Sequence, residues 1–132
     1  MHVHHVGIAT DDAAGLATLY GDLFGAAVAH EERFEGMRVV FLALDGGAGY
    51  LELLEPVEDG GAIAGYLDRN GPGIHHVALA TADVEVALDR AREFGVDPVD
   101  ESPRPGAWGH EVAFLHPEST GGVLVEFVAE GT

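Results

Sequence analysis

The chain has 132 residues, 47% of them hydrophobic, no Cys, and six Lys and Arg against 23 Asp and Glu, for a formal charge of −17. This length fits one domain or two small half-domains sharing a core, and 47% hydrophobic residues are enough to build that core. The missing Cys excludes disulfides, thiolate metal sites, Fe–S clusters and a thiol nucleophile, and so acidic a surface lacks the basic face that nucleic acid requires.

The elements follow in chain order. The His-rich opening, Met1-His2-Val3-His4-His5, runs straight into an apolar pattern that predicts a strand over about 3–9. An Asp at 11 or 12 then offers a helix cap, and Leu16, Leu19, Tyr20 and Leu23 predict one buried helical face that Gly25 stops. Strands are expected over about 27–34, 38–44 and 48–55. Pro56 to Gly73 reads as a connector, with a short amphipathic helix at Ile63, Tyr66 and Leu67 ended by Gly71-Pro72-Gly73. The second half repeats the order. A strand is expected over 74–81, then Asp83 caps a helix with Val84, Leu88 and Ala91 inward and Gly95 at its end. Strands over about 98–101, 110–116 and 123–129 close the chain.

The repeat is visible residue by residue. His5-Val6-Gly7-Ile8-Ala9-Thr10 aligns with His76-Val77-Ala78-Leu79-Ala80-Thr81. Phe24-Gly25 aligns with Phe94-Gly95, Val39-Val40-Phe41-Leu42 with Val112-Ala113-Phe114-Leu115, and Leu51-Glu52-Leu53-Leu54 with Val125-Glu126-Phe127-Val128. The offsets are 71, 70, 73 and 74, so the order is kept and loops absorb the drift. The expected fold is α+β: two tandem βαβββ modules, 1–55 and 74–132, joined by the 56–73 connector in a single domain. Packed by pseudo-two-fold symmetry, they would share a cleft.

Polar residues inside apolar strands mark candidate chemistry. Glu52 lies between Leu51 and Leu53, and Glu126 between Val125 and Phe127. A carboxylate there either faces water or is buried with a partner, because an unpaired buried charge costs too much. The repeat relates His5 to His76 and Glu52 to Glu126. Two imidazoles and two carboxylates aimed at one axis make a donor set for a divalent cation, with remaining positions open for water or substrate.

At these residues the chain resembles the vicinal-oxygen-chelate, or glyoxalase-like, superfamily and, within it, the methylmalonyl-CoA epimerases. The resemblance is carried by His5-Val6-Gly7-Ile8-Ala9, Leu51-Glu52-Leu53-Leu54-Glu55-Pro56 and Gly73-Ile74-His75-His76-Val77-Ala78. The most specific stretch runs from Pro103-Arg104-Pro105-Gly106 through Phe114-Leu115-His116-Pro117-Glu118-Ser119-Thr120-Gly121-Gly122 to Glu126. It implies interconversion of (2R)- and (2S)-methylmalonyl-CoA through C2 proton abstraction and a metal-stabilised enolate. It also implies a cation held by His5, Glu52, His76 and Glu126, with Co2+ or Mn2+ ahead of Zn2+ or Ni2+, and a homodimer. Glu126 and Glu52 are the expected proton-handling groups. In some members a further Glu on the third strand is a proposed base; here that stretch is Arg38-Val39-Val40.

Arg104 is a candidate partner for a CoA phosphate or the methylmalonyl carboxylate, with a plain surface Arg as the alternative. By resemblance, His116, Ser119, Thr120, Gly121 and Gly122 border the substrate; a tight turn is their alternative use. His4 and His75, each beside a candidate ligand, point to the opposite strand face and are expected to pack. Trp108 is a candidate cover for the cleft. Other readings of the same pattern are a glyoxalase-type isomerase of glutathione hemithioacetals, an extradiol dioxygenase, and a metal-free small-molecule binding protein of this fold.

No apolar run approaches the roughly 18 residues of a membrane span, and no charged-then-apolar leader opens the chain, so a cytoplasmic protein is expected. All six basic residues are Arg. An acidic, Lys-free surface suits a very salty cytoplasm, because at about 1 M salt the screening length falls to roughly 3 Å; an ordinary acidic protein is the alternative reading.

Overall fold

A computed structural model describes residues 1–44, 46–47 and 49–130. The chain divides into two compact units, one formed by His5–His75 and the other by Met1–His4 with the chain from His76 onward.

In the first unit the order is β1 (His2–Ala9, its first residues belonging to the other unit), α1 (Ala13–Phe24), β2 (Ala27–Phe34), β3 (Met37–Ala43), β4 (Tyr50–Pro56) and α2 (Ala62–Asn70). Its strands run β2-β3-β4-β1, with β1 parallel to β4 and the others antiparallel. Asp12 caps α1 by accepting from the Gly15 N–H at 3.0 Å, and Gly25 ends it in the left-handed conformation, φ 73°. Ala13, Leu16, Ala17 and Tyr20 line its inner face against Val40, Leu42 and Leu53. Leu19 and Leu23 depart from expectation: both are exposed, at 53% and 64%. The buried stripe follows 13, 16, 17 and 20, the i, i+3, i+4, i+7 spacing, and leaves Leu19 and Leu23 off it. The expected strand at 48–55 is β4; position 48 lies outside the described residues.

The second unit holds β5 (Gly73–Ala80), whose first residues belong to the first unit, α3 (Val84–Glu93), β6 (Arg104–Pro105), β7 (Glu111–Leu115) and β8 (Val125–Ala129). Its strands run β5-β8-β7-β6, with β5 parallel to β8. Asp83 caps α3 by accepting from the Val86 N–H at 3.2 Å. Val84, Ala87, Leu88 and Ala91 pack on Ala113, Leu115 and Phe127. Each unit therefore carries the expected βαβββ order.

The strand expected at 98–101 is the clear correction. Pro98 makes only an isolated bridge to Leu115, and the two-residue β6 comes later, at Arg104–Pro105. Pro98 has no N–H to give a ladder. Asp100 then replaces a strand's backbone acceptor with its side chain: Oδ2 accepts from the Phe114 N–H at 2.8 Å.

Candidate metal centre

Strand periodicity decides which residues of each sheet face share chemistry. In the first unit, Phe41 stands opposite Glu52 and Glu52 opposite Gly7, while His5 stands opposite Tyr50 two positions away. His5, Phe41 and Glu52 therefore project from one face, and Val40, Leu42 and Leu53 from the other, against α1. His5 and Glu52 are both buried, with Nε2 of the imidazole 3.3 Å from Oε1 of the carboxylate.

The second unit repeats this arrangement. Phe114 stands opposite Glu126, and Glu126 opposite Ala78, two residues from His76 on β5. His76 and Glu126 are buried, with Nε2 3.4 Å from Oε1. Each pair joins an imidazole to an oxygen donor in a place sheltered from water, the combination that a borderline or hard divalent cation accepts.

Residues 4–114 match the model of the Glyoxalase/Bleomycin resistance protein/Dioxygenase superfamily. The chain is 38% identical over 128 residues to the ethylmalonyl-CoA/methylmalonyl-CoA epimerase of Cereibacter sphaeroides, an alignment covering 94% of either protein. The crystal structure of methylmalonyl-CoA epimerase from Mycobacterium tuberculosis superposes with a TM-score of 0.94 at 35% identity, over 99% of this chain and 89% of that one. A variant of the Streptomyces coelicolor methylmalonyl-CoA epimerase, solved in complex with 2-nitronate-propionyl-CoA, gives 0.92 at 38% identity, over 100% and 99%. The chain belongs to the methylmalonyl-CoA epimerase family of this superfamily.

Against that family's pattern, the third-strand departure holds in space. Val39 and Val40 are fully buried apolar residues of β3, so neither supplies a carboxylate, and Arg38 pairs with Glu31 at 3.5 Å. Arg104 donates from Nε to Asp100 Oδ1 at 3.0 Å, and its guanidinium lies 5.6 Å from the centre of the Phe114 ring. The 116–122 loop is a tied turn: the Ser119 hydroxyl accepts from the Asp97 N–H at 3.1 Å, and the Thr120 hydroxyl donates to the Val123 carbonyl at 2.7 Å. Gly121 and Gly122 both have positive φ, and His116 is exposed.

His75 packs edge-to-face on Tyr66, 5.1 Å between ring centres. His4, fully buried, lies 3.1 Å from Glu130 Oε1 and meets the His110 ring at 5.1 Å; Trp108, with a left-handed φ of 63°, lies 5.4 Å from His110. Sequence reasoning passed over Phe41, Phe114, Asp100 and His110. For the two Phe residues a signal existed, because the repeat alignment already matched them.

Proposed function

We propose that this chain is a divalent-metal-dependent epimerase that interconverts (2R)- and (2S)-methylmalonyl-CoA. The observation that carries the reading is a buried His–Glu pair recurring at repeat-related positions in a member of this family. The donor chemistry fits a cation. His5 and Glu52 in the first unit, and His76 and Glu126 in the second, each pair an imidazole nitrogen with a carboxylate oxygen. With metal–ligand bonds near 2.1 Å, neighbouring donors stand about 3.0 Å apart in an octahedron and about 3.4 Å in a tetrahedron. The two pairs, at 3.3 and 3.4 Å, sit at those spacings. His5, Glu52, His76 and Glu126 would hold the ion, Co2+ or Mn2+ ahead of Zn2+ or Ni2+.

The substrate's C2 proton lies between a thioester and a carboxylate and is only weakly acidic. A bound divalent cation supplies positive charge where the thioester oxygen gathers electrons. The Glu126 carboxylate takes the C2 proton, and the C–H electron pair moves into the thioester carbonyl to give an enolate. A protonated Glu52 returns a proton to the opposite face, which inverts C2. A carboxylate that also held the cation would be a weak base, so Glu126 or Glu52 would have to release the ion while handling the proton. Arg104 and the His116, Ser119, Thr120, Gly121, Gly122 loop border the CoA thioester in this scheme, the loop through the backbone of its tied turn.

Other support comes from related proteins. One solved methylmalonyl-CoA epimerase, at 38% identity, holds methylmalonyl-CoA and NH4+. The Cereibacter sphaeroides relative's name adds ethylmalonyl-CoA, which makes that thioester the second substrate to assay. No described helix is long and apolar enough to cross a membrane; a cytoplasmic homodimer that works in high salt completes the proposal.

The test is incorporation of deuterium at C2 of methylmalonyl-CoA in D2O, with and without chelator, at low and at about 1 M salt. Exchange that chelator abolishes, cation restores and salt sustains is the expected result. Stable C2 protons under all these conditions would overturn the assignment.

A further inference from the structure

We propose that Phe41 and Phe114 are repeat-related positioning residues, each setting the ring plane of the imidazole in its own His–Glu pair. This rests on the metal reading above, and its test separates the two.

Three observations coincide in each unit. The Phe lies directly across an antiparallel strand pair from the site carboxylate: Phe41 from Glu52, Phe114 from Glu126. The same Phe meets the site imidazole nearly at right angles. His5 and Phe41 stand 5.4 Å apart at 90°, and His76 and Phe114 stand 5.5 Å apart at 83°. The two Phe residues also align in the sequence repeat. A histidine's χ2 torsion is broad and roughly two-fold, so the groups packed against the ring help to fix its plane. An aromatic neighbour in edge-to-face geometry restricts that rotation, because the ring quadrupoles favour this arrangement over others.

Each Phe is itself braced from outside. Phe41 has the Tyr50 ring at 6.0 Å and the His30 ring at 6.5 Å, and His30 Nε2 lies 2.9 Å from Glu32 Oε1. Phe114 has the Arg104 guanidinium over its ring and its own N–H tied to Asp100, which also holds Arg104. A nitrogen-bearing side chain held by a carboxylate thus backs the Phe in each half, an imidazole in one and a guanidinium in the other. Simple filling of apolar space would be served by any residue of similar volume. Setting a ring plane requires a ring.

The experiment uses the full chain and Co2+ alone. Phe41→Leu and Phe114→Leu should each weaken Co2+ binding about tenfold or more by calorimetry and change its visible absorption spectrum, while Phe41→Tyr and Phe114→Tyr stay within about twofold. In the metal-free protein, proton NMR should give cross-relaxation between the His5 and Phe41 rings and between the His76 and Phe114 rings, a readout that stands if a Leu variant does not fold. Leu variants that bind Co2+ with unchanged affinity and spectrum overturn the proposal, as does absence of the ring contacts in the unmodified protein. Absence of C2 exchange in the unmodified chain, with these Co2+ effects observed, would sink the epimerase reading and leave the positioning roles standing. Failure of the unmodified chain to bind Co2+ would sink both.

Discussion

The two halves of the molecule agree where donors are needed and diverge around them. His5, Phe41 and Glu52 have the same mutual arrangement as His76, Phe114 and Glu126, within 0.1 Å in the His–Glu distance. Outside that triad little is shared. Phe41 is backed by an imidazole held by Glu32, and Phe114 by a guanidinium held by Asp100. The first half spends an eight-residue strand, β2, where the second has the two-residue β6 and an aspartate that mimics a ladder acceptor. Strand register transmits a face constraint only along paired strands, so a duplicated site survives while the edges of each sheet drift.

The largest expected effects ask whether the halves share the proton work equally. Glu126→Gln should cut C2 exchange by about 10²–10⁴-fold, the usual worth of a positioned base. Glu52→Gln should cost less in exchange and more in inversion, since it leaves abstraction by Glu126 intact. Measuring deuterium uptake and stereochemical outcome in one sample separates these. Complete racemisation with full exchange in Glu52→Gln would remove Glu52 from the proton-handling pair. For the imidazoles the comparison predicts symmetry: His5→Ala and His76→Ala should each weaken cation binding by about tenfold or more, read by calorimetry.

Much of this was legible in the sequence, because the signals were periodic and duplicated. A lone Glu in an apolar strand is ambiguous; Glu52 and Glu126 at repeat-related places are not. What was missed depended on partners distant in sequence. Asp100 looks like a strand residue until Phe114 is beside it. Leu19 and Leu23 fit an apolar helix stripe as well as Ala13 and Ala17 do, and only the sheet beneath α1 chooses between them. Arg104 offers no hint in sequence that its Nε is committed to Asp100. Element existence follows local pattern, whereas the partner of a polar side chain follows tertiary register.

The outer pairs give a smaller test of the same contrast. Asp100→Ala removes the acceptor of the Phe114 N–H and the partner of Arg104 together, at a site mostly shielded from water. A loss of about 2 kcal/mol is expected, because the N–H is left without its acceptor, and at this size that lowers Tm by about 6–8 °C. Glu32→Ala breaks a pair whose members are each 29% exposed, and should cost under about 1 kcal/mol. Thermal denaturation of the two variants would show the difference; equal losses would mean that Asp100 contributes only as an ion-pair partner.

The helix starts of the two halves differ by a glycine. Asp12 and Asp83 cap α1 and α3 through the N–H three residues on, so Asp12→Ala and Asp83→Ala should each cost about 1 kcal/mol. In α1 that N–H belongs to Gly15, and a Cβ there would stand 2.3 Å from Asp12 Oδ2. Gly→Ala in a helix interior ordinarily gains up to about 1 kcal/mol. Gly15→Ala should gain nothing in the native background, because the cap must move aside. In the Asp12→Ala background the obstruction is gone, and the same substitution should recover the ordinary gain. A double-mutant cycle in thermal or denaturant unfolding measures that coupling; an additive cycle would show that the Asp12 side chain yields its position without cost.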